Sequence, residues 1–250
     1  MKQSIHLMGM PITVEIVDEI VRPDIFERVF GYFMYIDETF STYKDSSEIS
    51  QINKGLIAES EYSEDMKTVF SLAERFKKQT DGFFDIQRVD GTRDPSGLVK
   101  GWAIENSAHM VYREGYRNFT VEAGGDIQVF GSKGTDGYWR AGIRSPFGLP
   151  DEIIKVLRAR DVGIATSGTY QRGNHIYNPK KYTEPIEDSV SLTVIGPSLF
   201  IADVFATAAF AMGGAGIQFI ESQSGYEGYL IDAHGIATMT SNFNLYVLES

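Results

Sequence analysis

The 250-residue chain contains no cysteine. Disulfides and thiolate-bound metal centres are therefore excluded. The absence does not assign a compartment, because reducing and oxidising surroundings both tolerate such a chain. Positive charge is in short supply: 23 Lys and Arg stand against 34 Asp and Glu, a formal net charge of -11. An acidic surface of this kind disfavours nucleic acid and anionic membrane as partners. It also means that a polyphosphate ligand needs a local cation or backbone amides to offset repulsion. No apolar run approaches the ~20 residues of a membrane span. The start Met1-Lys2-Gln3-Ser4-Ile5-His6 has no basic segment leading into an apolar one, so no signal peptide or lipidation cysteine is visible. The expectation is a cytoplasmic protein as the sequence stands, and an exported one if a leader precedes it. His6, His109, His175 and His234 are scattered without the spacing of metal ligands. Repeats, low-complexity tracts and clear linkers are all missing, which predicts one domain over residues 1–250.

What is present is ordinary for a globular protein: 42% of residues are hydrophobic and 12% aromatic. An alternating run from Ile5 to Val17, broken at Gly9-Met10-Pro11, reads as paired strands. Arg22 to Thr39 reads as a helix, with Pro23 in its first turn and Ile25, Val29, Phe33 and Ile36 at helical spacing. A polar stretch, Ser41 to Ile49, follows. Ser63 to Gln79 is a second amphipathic helix capped by Ser63 or a neighbour, and 97–114 a third. Strands are predicted at Asn118–Val121, Ile127–Phe130, Tyr138–Ile143, Ile153–Arg160, Gly163–Ser167 and Ser189–Ile195. A helix follows Pro197, a short one covers Ala215–Ser224, and a strand pair turns at Ala233-His234-Gly235. This order, with mostly antiparallel returns, predicts an α+β fold with antiparallel sheets flanked by helices.

Within this frame, Ile201 to Gly213 is the most telling stretch. It is helical in pattern, small and apolar, yet it carries one acid. Residues four apart share a helix face, so Asp203 and the Thr207 hydroxyl point the same way. A carboxylate on such a rod is costly unless paired or bound to a cation, and Asp and Thr oxygens suit Mg²⁺ or Ca²⁺ rather than Zn²⁺. The competing reading is that Asp203 caps or salt-bridges a neighbour and Thr207 bonds back to its own helix.

Other stretches have two readings each. Thr80-Asp81-Gly82-Phe83-Phe84-Asp85 sets two acids around a glycine, which is either a ligand-facing turn or a left-handed helix C-terminus. Asp94-Pro95-Ser96-Gly97-Leu98-Val99-Lys100-Gly101 opens a helix whose free amides can receive a phosphate, or is a plain N-terminus with a solvated lysine. It is neither a Walker A nor a Gly-x-Gly-x-x-Gly motif. Val121 to Ile127 brings Gly124, Gly125 and Asp126 into a turn, open to a flat ligand or merely a tight hairpin. Thr166-Ser167-Gly168 and the later His175-Ile176-Tyr177-Asn178-Pro179 gather hydroxyls, amide and imidazole after a buried strand. His175 is there as a general base or as a hydrogen-bonded loop residue.

Taken in order, these stretches resemble the ApbE family, the FAD:protein FMN transferases. The resemblance rests on Phe40-Ser41-Thr42-Tyr43, Thr80 to Asp85, Gly97 to Ala103, Gly124 to Asp126, Thr166 to Gly168, His175-Ile176 and Ala202 to Thr207. Any one of these is weak, but their shared order is specific. The resemblance implies an active site in a central cleft, and Mg²⁺-dependent transfer of the FMN moiety of FAD to a Thr or Ser hydroxyl of an acceptor flavoprotein, releasing AMP. It implies a metal held by Asp203, Thr207 and a backbone carbonyl near Gly97 or Val99. His175 becomes the base that activates the acceptor. Tyr43, the Thr80–Asp85 turn (Thr80, Asp81, Gly82, Asp85), Gly97, Lys100, Gly124, Gly125, Asp126, Thr166, Ser167 and Gly168 become the residues around FAD. The chain departs from the family's His-x-x-Asp-Pro-x-Thr-Gly by having Asn178 in place of the acid and no Thr-Gly, and it fits a shorter branch. Two other functions use the same features: an Mg²⁺-dependent FAD pyrophosphatase, and a non-catalytic flavin-binding protein, which Asn178 would favour.

Overall fold

The computed structural model describes residues 1–147, 152–168, 177–182, 184–186 and 188–248. Its elements run β1 (Lys2–Leu7), β2 (Met10–Ile16), α1 (Asp24–Phe40), α2 (Glu48–Asn53), α3 (Glu64–Gln79), α4 (Ser96–Arg113), β3 (Phe119–Ala123), β4 (Asp126–Phe130), β5 (Trp139–Arg144) and β6 (Ile153–Ala159). They continue with β7 (Val162–Gly168), β8 (Ser189–Gly196), α5 (Leu199–Ala211), α6 (Gly216–Glu221), β9 (Glu227–Asp232) and β10 (Ala237–Met239). These elements follow the sequence expectation closely. The exceptions are short: α2 falls at the end of the stretch read only as polar. Its Ser47 hydroxyl accepts the Ser50 N–H, while Ile49 and Ile52 are buried. A local cap and two apolar anchors are enough to hold one and a half turns against a neighbour.

The strands form an eight-stranded sheet in the order β1-β2-β3-β4-β7-β8-β9-β10, together with a separate β5-β6 hairpin. Every strand pairing among the described residues is antiparallel. Because strand side chains alternate between faces, each central strand serves two cores. Ala165, Leu192, Val194 and Leu230 pack with the helices. Ile164, Ile195, Tyr229 and Ile231 pack instead with Trp139 and Leu157 of the hairpin and with Phe243. The mixed α/β architecture is thus helices, sheet and hairpin in three layers.

Helix α5 lies in the helical core layer and is apolar around nearly its whole girth, as a helix enclosed by protein should be. Its depth is fixed at Gly163 on β7, where a Cβ would come within 2.3 Å of the Leu199 backbone. Its free N-terminal amides are all spoken for by side chains. Ser198 Oγ accepts from Ile201 N–H at 3.2 Å, Glu105 of α4 accepts from Phe200 N–H at 2.9 Å, and Gln128 of β4 accepts from Leu199 N–H at 2.9 Å. A carboxylate at that end also complements the helix dipole. Sheet, α4 and α5 are therefore pinned to one another just ahead of Asp203.

Several phenols are enclosed by this packing. Burial pushes the Tyr32 and Tyr226 hydroxyls up to about 12. A phenol held above its unfolded value near ~10 keeps a proton that the unfolded chain gives up. Above that pH the folded state binds more protons, so stability falls as pH rises. Urea midpoints should therefore be insensitive to these residues at pH 8 and decline from about pH 10 toward 12. Tyr32→Phe should blunt the decline, and an equal slope in wild type and variant would contradict the assignment.

Candidate active site

The cleft opens where the C-terminal end of β7, the start of α4, the middle of α5 and the turn after α3 meet. Its walls include Phe83, Phe84, Asp85, Ile86, Arg88, Asp94, Ser96, Gly97, Lys100, Gly124, Thr166, Ser167, Gly168, Tyr177, Pro179, Asp203 and Thr207. The residues come from distant parts of the sequence, and the fold explains each approach.

Asp203 sits on the α5 face turned toward α4 and is only 3% exposed. Its Oδ2 accepts the Gly101 backbone N–H at 2.9 Å and its Oδ1 accepts from the Lys100 ammonium at 3.0 Å. The two helices touch here because residue 101 has no side chain. A Cβ on Gly101 would lie 2.8 Å from Asp203 Cβ and Oδ2, and 3.2 Å from the Phe200 Cα. One turn further along α5, the Thr207 hydroxyl is 3.3 Å from the Ser167 hydroxyl of β7. Asp203 and Thr207 do share one face, as their spacing requires.

Asp126 begins β4 at the Gly124-Gly125 hairpin turn and, with Gln128, faces the helices. It is 1% exposed and ion-paired with Lys100, while its Oδ1 accepts the Thr166 N–H at 2.9 Å. Lys100 is thus bound by two buried carboxylates. A plain helix start would leave this lysine solvated; its long stem folds inward, because two desolvated acids need a counter-charge, while it still lines the cleft. The Thr166 hydroxyl shares a 2.8 Å hydrogen bond with Thr193 of β8.

The turn after α3 divides by role. Thr80 is buried, donating to Phe76 O at 2.8 Å and accepting from Phe84 N–H at 3.0 Å. It shapes the turn and does not face the cleft. Asp81 and Gly82 take positive φ as a helix terminus of this kind requires. The Asp81 carboxylate lies outside the cleft wall, 2.6 Å from Lys180. Asp85 does line the cleft and accepts from Lys77 at 2.7 Å, and this bond raises the Lys77 ammonium above its usual range. Gly97 and Gly124 line the cleft; Gly125 does not. Tyr43 is 96% exposed and is not part of the wall. It sits in the turn between α1 and α2, where Ser41 and Ser47 bond to each other and leave the ring in solvent. His175 lies outside the described residues.

Phe83 and Phe84 fall within the Thr80–Asp85 turn that the resemblance places around FAD, whereas sequence reasoning missed Ile86, Arg88 and Tyr177 as wall residues. Arg88 forms an ion pair with Asp94 across a small hairpin turning at Asp90-Gly91. That Asp-Gly pair is a turn signal and could have brought the two together on paper. Tyr177 stacks on Tyr182 at 4.9 Å, and the Tyr182 hydroxyl donates to Gln87 O at 2.9 Å. Burial first, and then the neighbouring Tyr182, push the Tyr177 phenol well above the usual tyrosine range. Asn178 uses its side-chain oxygen to accept the Lys180 N–H at 2.9 Å, a local turn that an Asp could equally make.

Among the described residues no three His, Cys, Asp or Glu gather as a metal cluster. The oxygen-bearing side chains that line this part of the cleft are the Asp203 carboxylate and the Ser167 and Thr207 hydroxyls, with Gly97 next to Thr207. That donor set fits a hard cation such as Mg²⁺ and does not fit Zn²⁺.

The helix crossing gives a paired test. Gly101→Ala should lower unfolding stability by about 1–3 kcal/mol through overpacking, as read by urea unfolding. Gly97→Ala, whose Cβ would meet Phe84 only at 3.5 Å, should be neutral or stabilising. Equal behaviour of the two variants would show that the helices part freely at residue 101.

A family model described as the ApbE family matches residues 8–90 and 90–230. A FAD:protein FMN transferase of Vibrio cholerae is 33% identical over 129 residues, covering 48% of this chain and 38% of that protein. Its counterpart in Escherichia coli K12 is 28% identical over 151 residues, covering 57% of this chain and 43% of the relative. The chain thus aligns with well under half the length of these curated relatives. Among solved structures, a flavin transferase ApbE from Vibrio cholerae superposes with a TM-score of 0.81 at 22% identity, over 98% of this chain and 99% of that one. An ApbE protein from Thermotoga maritima gives 0.87 at 21% identity, over 100% and 99%. At such identities the structural likeness establishes the fold.

Proposed function

This chain belongs to the ApbE family, and on that premise we propose that it transfers the FMN moiety of FAD to a Thr or Ser hydroxyl of an acceptor protein, releasing AMP, with Mg²⁺ as cofactor. We take residues 1–250 to act as one domain. The observation that carries this reading is the convergence, on one cleft, of stretches that are far apart in the sequence. Asp85, Gly97, Lys100, Gly124, Thr166, Ser167, Gly168, Asp203 and Thr207 all line it. The curated relatives in Vibrio cholerae and Escherichia coli are FAD:protein FMN transferases, which supports the transfer of FMN from FAD to a protein.

In this reading the acceptor oxygen bonds to the phosphorus of the FMN half. The anhydride P–O bond breaks, and AMP leaves with the bridging oxygen. Asp203, Thr207 and a carbonyl near Gly97 or Val99 would hold Mg²⁺, which when bound neutralises pyrophosphate charge and that developing on AMP. The chain's own residues do the rest. Phe83, Phe84 and Ile86 offer apolar surface for flat rings. Gly124, Thr166, Ser167 and Gly168 flank the ligand, while Gly125 completes the turn beside Gly124 and Asp126 stands behind the wall, holding Lys100. His175 takes the acceptor proton, since a hydroxyl is a poor nucleophile until a base engages it. The strongly acidic chain tolerates an anionic substrate because Mg²⁺ would bring positive charge into the cleft, where Lys100 and Arg88 are already paired with acids.

The test is incubation with FAD and Mg²⁺, with and without a peptide carrying a Thr or Ser acceptor, following AMP and acceptor mass together. We expect one FMN added per AMP released. AMP without mass gain on any acceptor would make the protein an FAD pyrophosphatase, and flavin binding without AMP would make it a binder. Asp203→Asn preserves an acceptor for the Gly101 N–H and so should retain most of the stability. It should nonetheless cut AMP release by roughly 100-fold or more, the scale on which one lost electrostatic stabiliser acts.

A further inference from the structure

Two buried acids, Asp126 and Asp203, share one ammonium. Their side chains are 2% and 4% exposed, and that of Lys100 is 17% exposed. Each carboxylate gives one oxygen to a backbone amide, Asp126 to Thr166 N–H and Asp203 to Gly101 N–H, both at 2.9 Å. Each gives its other oxygen to Lys100. Both oxygens of Asp203 are therefore already engaged. Each oxygen keeps a second lone pair, but a cation on either would sit close to the donor already there. The Gly101 contact is locked by the helix crossing, where no side chain fits. The Lys100 contact is at the end of a flexible four-carbon stem, 3.0 Å from Oδ1. Two positive centres cannot share that oxygen without strong repulsion at low local dielectric.

We propose that the Lys100 ammonium is a resident counter-ion of Asp203 that a divalent cation must displace, with Asp126 retaining the lysine as it moves. Asp126 can do so because its own position is fixed independently by the Thr166 amide and by the start of β4. Without metal, Lys100 bridges the two acids, offsets one of their two negative charges and ties α4 to α5 at the helix crossing. With metal at Asp203, the ammonium is released toward the cleft it already lines, where it can meet a pyrophosphate. Metal entry and phosphate affinity are then coupled through one side chain, and each should strengthen the other. Asp126 is in this account a positioning residue. The proposal rests on the reading of Asp203 as a metal ligand.

The experiment is Mn²⁺ titration of the metal-free protein without FAD, with free Mn²⁺ followed by electron paramagnetic resonance. Lys100→Met should bind Mn²⁺ at least tenfold more tightly than wild type, because the competing charge is gone. Lys100→Gln, whose amide can still donate to a carboxylate, should move the same way and carries the comparison if the Met variant does not fold. Lys133→Met removes an equal charge from a remote pair with Glu15 and should leave binding unchanged. Affinity for Mn²⁺ that is equal or weaker in the foldable Lys100 variants would overturn the proposal, as would equal tightening by Lys133→Met. Asp203→Asn should weaken binding tenfold or more. If it binds as wild type does, the metal assignment itself fails, and the counter-ion falls with it. Loss in Asp203→Asn without gain in the Lys100 variants would reject the counter-ion alone.

Discussion

The structure depends on the crossing of α4 and α5 at Gly101 and Asp203. A buried carboxylate is tolerated only where donors meet it, and here one donor is backbone. A backbone N–H can reach a side chain on a neighbouring helix only if the helices nearly touch, and that requires glycine at the contact. The polar caps at the start of α5 serve the same end. Glu105 and Gln128 reach it from α4 and from β4, so helix, helix and sheet share one reference point. Displacing any of the three would move Asp203 and Thr207 relative to the turn at Gly124 and the hydroxyls of β7.

Charge organisation follows from this geometry. The chain carries a large acidic excess, yet the cleft wall holds cations against specific acids: Lys100 with Asp126 and Asp203, Arg88 with Asp94, and Lys77 just behind with Asp85. Pairs on the outer rim contribute little to stability, because solvent screens them. The inner triad differs because two of its members are almost wholly desolvated, so an unpaired acid there would be costly. The same arrangement that is expensive to build is well suited to exchanging one positive partner for another. That is the property a cleft for a polyphosphate needs.

Much of the cleft wall was legible in the sequence. Asp203 and Thr207 were readable because helical period alone puts them on one face. The Gly124-Gly125 turn and the Ser63 cap were readable because they are local. Asp85, Gly97 and Ser167 were legible through motif order, which a family resemblance organises. Tyr43 was not: its neighbours resemble a motif, but the Ser41–Ser47 turn leaves its ring in solvent. Thr80 and Asp81 shape or flank a turn whose later residue, Asp85, is the one that reaches the cleft. Arg88 and Tyr177 went unassigned because their place in the wall depends on how their segments pack against the helices, although their partners Asp94 and Tyr182 are close in sequence.

By itself the sequence determined the order of elements, the α+β class, the exclusion of thiolate chemistry and the family. Each of these is carried by local periodicity, composition or linear order. Only the tertiary structure decided which way Lys100 points. In sequence it is a lysine one turn into a helix, where solvent is the default. In the fold it is enclosed by two acids, 26 and 103 residues away in the chain. The energy of an ion pair depends on distance in space and on the exclusion of water. Neither quantity exists until β4, α4 and α5 have packed.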